Sequence, residues 1–297
     1  MEATKVECTG MNQRLSILER SKARAKSRRR RLSAIAVAVT VAILMAVAFL
    51  YIAIPIVSMF LRISPNAFMS ELNDPTVIQA LRLSIITSVA SALIVVVIGT
   101  PIAYVNARYR YPGKVLIDTV IDLPVVLPPA VAGIALLLAF GRMGLVGHYL
   151  NMVHITLGFT TIAVVMAQTF VASPFYIRQA RSSFEDVDVT YENAARTLGA
   201  SPVATFFFVT VPIAMNGLIS GLIMTWARAL GEFGATILFA GNFTGITETM
   251  PLAIYMTLNG GNLNACIAMS IILVIISFVV IAAVKLLTRG AIENARS

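Results

Sequence analysis

The stretch 188–212, DVTYENAARTLGASPVATFFFVTVP, lies in a loop between two long apolar runs. Four apolar side chains within it recur at positions i, i+3, i+4 and i+7, namely Tyr191, Ala194, Ala195 and Leu198. This spacing places them on one stripe of a short amphipathic helix, whereas Glu192, Asn193 and Arg196 lie off the stripe. The stretch therefore predicts an interfacial helix inside the loop.

The limits of this helix are encoded by neighbouring residues. Asp188 can cap its start, and Gly199 suits the left-handed backbone that follows many helix ends. Ser201 and Pro202 supply a cap and a first-turn proline for a second helix. The loop, about 186–204, is therefore predicted to be a helix, a turn and a helix. Its small residues suit docking into a partner's groove, and the stripe alone equally allows a helix lying on the bilayer surface.

The composition around this loop is that of a membrane protein. The 297 residues are 58% hydrophobic and 12% charged, with a mean hydropathy of +0.85, whereas soluble domains carry about 25% charged residues. Six runs are long and apolar enough for bilayer-spanning helices: 33–61, 78–106, 116–140, 155–180, 206–240 and 266–288. Because these runs exceed the length of barrel strands, the expected fold class is an all-α polytopic membrane protein with one six-helix domain, 33–290.

Lysine and arginine predict the orientation of the chain. With the N-terminus inside, ten basic residues before residue 32 and nine in later segments lie on the inner side, against Arg62 and Arg142 outside. Positive charge is retained on the cytoplasmic side, so both termini are expected there. The tail 1–32 is predicted to be disordered and to meet anionic lipid rather than nucleic acid, because its charges stop against the first apolar run. A second cytoplasmic tail is expected at 291–297.

Two features inside the apolar runs depart from a simple spanning helix. Pro124, Pro128 and Pro129 lack amide donors and must break or kink the third run, either as a packing kink or as a hinge or wall of a transport path. Arg228 and Glu232 stand at i, i+4 in the fifth run and can pair on one face. The pair is either a structural ion pair or a lining or gate of the path.

The sequence shows no catalytic or metal-binding pattern. His148 and His154 lie six apart without the glutamate of a metalloprotease motif, and Cys8 and Cys266 are too few for a disulfide framework. The Gly-Lys pair at 113–114 lacks the following Ser or Thr of a phosphate-binding loop. The chain is therefore predicted not to be an enzyme and to bind no cofactor or metal itself.

The loop resembles the EAA motif of ABC importer permeases, E-A-A-x3-G-x9-I-x-L-P. The matching segments are Asn193 to Ala195, Gly199 and, nine residues further on, VTVP at 209–212. Asn193 stands where the motif has Glu, and Glu192 is one residue earlier. In that family the loop forms a coupling helix that sits in a cleft of the ATPase subunit and moves the membrane helices. The resemblance assigns this coupling to Glu192, Asn193, Ala194, Ala195, Leu198 and Gly199.

From about residue 75 to the end, the chain is similar to the molybdate/tungstate permeases of that family. The segments LPVVLPPAVAG at 123–133 and ARALGEFGAT at 227–236 carry the similarity. Related sulfate permeases have a similar Gly-Glu-Phe-Gly segment, so a sulfate or thiosulfate permease is the first alternative and a proton-coupled secondary carrier the next. The residues expected at the translocation path or gate are Pro128, Pro129, Arg228, Glu232 and Phe233.

The resemblance also implies an architecture and partners. It implies a type I ABC importer in the cell membrane, in which two copies of this chain assemble with two ATP-binding cassette subunits. An external oxyanion-binding protein delivers molybdate or tungstate, which crosses by alternating access. ATP and magnesium then belong to the partner ATPase, and this chain performs no bond chemistry.

Overall fold

The computed structural model describes residues 37–294, and for residues 283–294 it describes the backbone alone. Within this range every regular element is helical. The predictions for the tail 1–32 and for residues 295–297 lie outside the described residues. The last helix continues to Asn294, past residue 291, where the sequence predicts the start of a tail.

The chain divides into two compact units, residues 1–62 and residues 63–297. In the first unit the described residues form one helix, α1, Val37–Arg62. The described helices of the second unit are α2 (Pro65–Leu72), α3 (Pro75–Arg108), α4 (Lys114–Val126), α5 (Pro129–Phe140), α6 (Gly147–Met152), α7 (Thr161–Glu185), α8 (Val189–Thr197), α9 (Pro202–Thr205), α10 (Val211–Leu230), α11 (Gly234–Ala240), α12 (Met250–Asn259) and α13 (Leu263–Asn294). A π-helical turn, Phe206–Thr210, joins α9 to α10 in one continuous helix.

Among the described residues, four helices are long and apolar enough to cross a membrane: Val37–Arg62, Pro75–Arg108, Pro202–Leu230 and Leu263–Ala282. α4 and α5 meet the same criterion together, as a pair bent by 116°. The predicted count of six spans is therefore not confirmed. The fourth predicted run forms α7, whose 25 residues are long enough but not apolar enough, because they include Gln168, Arg178 and Arg181.

Two of the predicted runs are interrupted. In the third run α4 ends at Val126 and α5 begins at Pro129, which confirms the break predicted at the prolines. In the fifth run the prediction of one span over 206–240 is wrong, because α10 ends at Leu230 and α11 begins at Gly234. At the break the Glu232 carboxylate accepts a hydrogen bond from the Ala235 amide at 2.9 Å, which starts a new helix instead of continuing the old one.

α7 is the central helix of the second unit, since it packs against α3, α4, α10, α5 and α11. Its contact with α3 and α10 is a core in which Tyr176 and Phe184 are buried. Its contact with α5 and α11 is a second core, in which five alanines pack with Leu136, two valines and Phe239. At Gly133 a Cβ would lie 2.9 Å from the Ala235 carbonyl oxygen, so the backbones of α5 and α11 touch.

One face of α3 is polar although the helix as a whole is apolar. Four hydroxyl side chains recur on it at i, i+3, i+4 and i+7, and all are fully buried: Ser84, Thr87, Ser88 and Ser91. The Ser91 hydroxyl lies 3.1 Å from the Gln168 side-chain oxygen of α7, and the Ser84 hydroxyl accepts from the Met250 amide of α12 at 2.7 Å. Protein rather than lipid therefore surrounds this face.

The spacing of Gly217 and Gly221 predicts a close approach of α10 to another helix, and the structure confirms it. A methyl group at Gly217 would overlap the Ser183 hydroxyl of α7, whereas one at Gly221 would lie 3.1 Å from Gln179 Cβ. We expect Gly217→Ala to lower the free energy of unfolding by about 2 kcal/mol through overpacking.

Gly221→Ala is the matched control for this prediction, because it makes the same change one turn further along α10. It should stay within about 1 kcal/mol of the parent, since the gain in helix propensity offsets a tight contact. Thermal unfolding of the detergent-purified protein measures both variants. Equal unfolding midpoints for the two would contradict the close approach at Gly217.

Candidate functional site

The helix predicted in the loop is present as α8, with the caps that the sequence predicts. The Asp188 carboxylate accepts from the Thr190 amide at 2.8 Å, which satisfies an orphan donor of the first turn. Gly199 follows the helix with a φ of +90°, a conformation that favours glycine. The Ser201 hydroxyl accepts from the Ala204 amide at 3.2 Å and starts α9. All three predicted boundary signals are confirmed.

The apolar stripe of α8 is exposed on this chain. Leu198 is 89% exposed and Tyr191 is 58% exposed, while Ala194 is exposed and Ala195 half-buried. Two large apolar side chains and two alanines on one open face are suited to contact with another surface. The stripe therefore does not pack into the core of its own chain.

The Asp188 carboxyl that caps α8 can be protonated, so the stability of this helix depends on pH. The Thr190 amide lowers the pKa of the Asp188 carboxyl below its ordinary value. A carboxyl whose pKa is lowered by folding stabilises the folded state above its unfolded pKa, and this contribution is lost as pH falls through the folded pKa. We expect the amides of α8 to exchange faster on acidification, after correction for intrinsic rates.

Hydrogen exchange measured by mass spectrometry on the loop peptides tests this expectation. Asp188→Asn is the control, because Asn caps a helix about as well as Asp but does not titrate in this range. Its corrected exchange should be independent of pH. The same acid response in the parent and in Asp188→Asn would show that the cap is not the cause.

Glu192 lies beside the exposed stripe of α8 and not on it, with only 4% of its side chain exposed. Its Oε1 accepts from Arg108 Nε at 3.0 Å, from Arg108 Nη2 at 2.8 Å and from the Thr210 hydroxyl at 2.9 Å. Arg108 Nη2 also donates to the Val187 carbonyl oxygen at 2.9 Å. Burial of this carboxylate is tolerated because a cation and a hydroxyl satisfy it.

The sequence did not point to Arg108 or Thr210. Arg108 is one of the basic residues whose distribution predicts the orientation, and Thr210 falls at the unspecified position of I-x-L-P in the loop motif. Glu192 did carry a signal, because it lies off the apolar stripe and one position before the expected Glu. Its partners are 84 and 18 residues away in the chain, so no local pattern connects them.

The two helix interruptions described above meet in space. A Cβ at Gly234, the first residue of α11, would lie 2.5 Å from Pro129 Cβ, the first residue of α5. Phe233, just before Gly234, has its ring centroid 5.0 Å from that of Tyr255. The structure therefore brings together Pro129, Glu232 and Phe233, which the sequence predicts for the path, while Pro128 lies exposed at the bend.

A small cavity of about 110 Å³ opens beside this junction. Its lining residues come from the end of α4, the start of α5, α7 and α10: Pro124, Val125, Leu127, Pro129, Val171, Phe175 and Arg228. Arg228 Nη1 lies 2.7 Å from Glu232 Oε2, so the predicted i, i+4 ion pair is present. The Glu232 side chain is 1% exposed and that of Arg228 is 30% exposed. The arginine thus bridges a buried carboxylate and the cavity.

Apolar spans, two facing helix interruptions and an exposed amphipathic helix together define a class, the helical membrane subunit of a transport system. Residues 96–293 match the family described as the binding-protein-dependent transport system inner membrane component. The chain belongs to this family, the permeases of ABC importers, and is a multi-pass protein of the cell membrane.

This chain aligns with most of the length of two related proteins. The molybdenum transport system permease protein ModB of Mycobacterium bovis is 41% identical over 235 residues, which are 78% of this chain and 88% of that protein. The molybdate/tungstate transport system permease protein WtpB of Pyrococcus abyssi is 39% identical over 191 residues, 64% of this chain and 72% of that protein.

A solved structure has the same fold. A chain of the bacterial alginate ABC transporter, in complex with its alginate pentasaccharide-bound periplasmic protein, aligns with a TM-score of 0.68. The alignment covers 84% of this chain and 93% of that chain at 14% sequence identity. At this identity the likeness establishes the fold of an ABC importer permease and nothing about the substrate.

Proposed function

We propose that this chain is the membrane-spanning permease of an ATP-driven importer of molybdate or tungstate. The observation that carries the proposal is the 41% identity to ModB over 88% of that protein. The WtpB relative, named for molybdate and tungstate, supports the same substrate class. The exposed helix α8, with the spacing of the coupling motif around it, supports a separate ATPase as the motor.

In the proposed mechanism α8 is the point of contact with that ATPase. Tyr191, Ala194, Ala195 and Leu198 form its exposed stripe, and the alanines let a partner backbone come close. Two copies of this chain and two ATPase subunits form the complex. ATP binding closes the ATPase pair and draws the two copies of α8 together, which opens the path outward, and hydrolysis resets it. ATP and magnesium are bound by the partner, and this chain forms and breaks no bonds.

The proposed path passes the junction of the two helix interruptions. An external binding protein delivers the oxyanion, and Arg228 offers it a cation in an otherwise apolar region, with Glu232 holding the guanidinium in place. Pro128, Pro129 and Phe233 lie at the bends on either side, where a small backbone rotation displaces a whole helix segment. These residues therefore suit a gate better than a rigid wall.

Uptake by proteoliposomes tests the proposed function. The chain is tagged and purified in mild detergent, and its co-purifying ATPase is reconstituted with it and with the external binding protein. We expect ATP-dependent uptake of radiolabelled molybdate that unlabelled tungstate inhibits and a hundredfold excess of sulfate does not. Inhibition by sulfate alone would make the chain a sulfate permease. Purification without an ATPase, together with uptake driven by a proton gradient, would make it a secondary carrier.

A further inference from the structure

Three segments of the chain meet at one carboxylate oxygen. Glu192 Oε1 accepts all three of its hydrogen bonds, two from Arg108 and one from Thr210. Arg108 is the last residue of α3, Glu192 belongs to α8, and Thr210 ends the π-helical turn that leads into α10. A single side chain thus connects the exposed loop helix to two long apolar helices.

The contact between Arg108 and Glu192 is rigid for physical reasons. Arginine presents its donors in a planar fork, and here both Nε and Nη2 point to the same oxygen, so the guanidinium has one orientation. Its Nη2 also donates to the carbonyl of Val187, which precedes α8. The side chains of Arg108 and Glu192 are only 10% and 4% exposed, so water does not screen the ion pair as it does at a surface.

Glu192 does not belong to the exposed stripe. Tyr191 and Leu198 are open to a partner, whereas the Glu192 carboxylate is covered by its own chain. A displacement applied to the stripe must therefore pass through the body of α8 before it reaches α3 and α10. The buried ion pair and its threonine lie on that route.

We propose that Glu192 is a positioning residue that makes α8, the end of α3 and the start of α10 move as one body when the ATPase acts on α8. This inference rests on the proposed function, because it presupposes an ATPase docked on the stripe. It departs from the role that the family motif implies, since Glu192 acts within this chain and not across the ATPase interface. Without the contact, α8 moves and the membrane helices do not follow.

The test uses the reconstituted complex and measures the number of oxyanions transported per ATP hydrolysed. We expect Glu192→Gln to retain the co-purifying ATPase and its hydrolysis but to lower this ratio about tenfold, within the usual range of coupling between sites. Arg108→Lys keeps the charge but loses the fork and should fall between Glu192→Gln and the parent. An intermediate transport ratio in Arg108→Lys is not expected if Glu192 acts at the ATPase surface.

Glu185→Gln is the matched control. It makes the same substitution in the last turn of α7, where the Glu185 side chain is 46% exposed and pairs with Arg181 at 2.8 Å. Because an exposed i, i+4 pair contributes little, the transport ratio should equal that of the parent. A fall as large as that of Glu192→Gln would mean that loss of any nearby charge uncouples transport, which would overturn the proposal.

Two further results would overturn the proposal about Glu192. The first is a parent-like transport ratio in Glu192→Gln with the ATPase still bound. The second is loss of the ATPase from Glu192→Gln, which would place the carboxylate in the docking contact. If Glu192→Gln fails to insert into the membrane, Thr210→Val takes its place in the test, because it removes one hydroxyl and keeps the side-chain volume. A severalfold lower transport ratio in Thr210→Val supports the proposal, and an unchanged ratio overturns it. Absence of any ATPase from the parent would instead refute the proposed function.

Discussion

Gly199→Trp should abolish oxyanion uptake and reduce recovery of the ATPase with the tagged chain by about 100-fold, as expected at the centre of an interface. Gly199 has a φ of +90°, and no other atom lies near the place that a Cβ would take. A tryptophan there strains the backbone by about 1–2 kcal/mol and places a large ring beside the exposed Leu198. The proposed docking face is thereby blocked while the core remains untouched.

Gly261→Trp is the control that separates strain from docking. Gly261 has a φ of +80° and equally open surroundings, but it lies in the turn between α12 and α13. Both variants carry the same strain, so both should insert to the same level in membranes. ATPase recovery measured by quantitative mass spectrometry should fall only for Gly199→Trp. A similar fall for both variants would remove the evidence for docking at α8.

Glu232→Gln should reduce uptake to background and lower the free energy of unfolding by about 3 kcal/mol, the lower end of the range for a broken buried ion pair. The lower end applies because the Arg228 side chain is 30% exposed and lines the cavity, so its charge is not fully buried when Glu232 is neutralised. The amide can still accept the hydrogen bond of the Ala235 backbone, so the start of α11 is retained. The lost interaction is therefore the charge opposite Arg228.

The double variant Arg228→Gln with Glu232→Gln separates a structural pair from a functional one. Removing both charges leaves no uncompensated ion, so the unfolding midpoint should return close to that of the parent. We expect uptake to remain lost, because the path then has no cation beside the cavity. Uptake that returns with stability would make the pair structural and remove Arg228 and Glu232 from the proposed path.

The loop helix could be predicted in detail because its signals are local. Asp188, Gly199 and Ser201 act on backbone groups within three residues of themselves, and the stripe follows from the helical period alone. The break at Pro128 and Pro129 could be predicted for the same reason, since proline removes a donor wherever it stands. A structural signal can be inferred from the sequence when the residue and the backbone groups on which it acts lie within one helical turn.

The number of spans and the second interruption could not be predicted in this way. The run 206–240 contains few charged residues, and its apolar character concealed the end of α10 at Leu230. The segment Gly231-Glu232-Phe233-Gly234 carried the relevant signal, because two glycines flank a carboxylate that can cap a new helix. The i, i+4 spacing of Arg228 and Glu232 instead predicts an ion pair on one continuous helix. Glu232 can accept a hydrogen bond from the Ala235 amide that follows it or only pair with Arg228 that precedes it, and tertiary packing decides between the two.

The weakly apolar character of α7 has a consequence for the biogenesis of the protein. Its neighbours α3, α5 and α10 cover Gln168 and the small side chains around it. A segment of this kind gains little from partitioning into a bilayer by itself, because its polar groups need protein partners. The order of synthesis meets this need in part, since α3 and α5 precede α7. We therefore expect insertion of α7 to be cooperative and to depend on helices already in place.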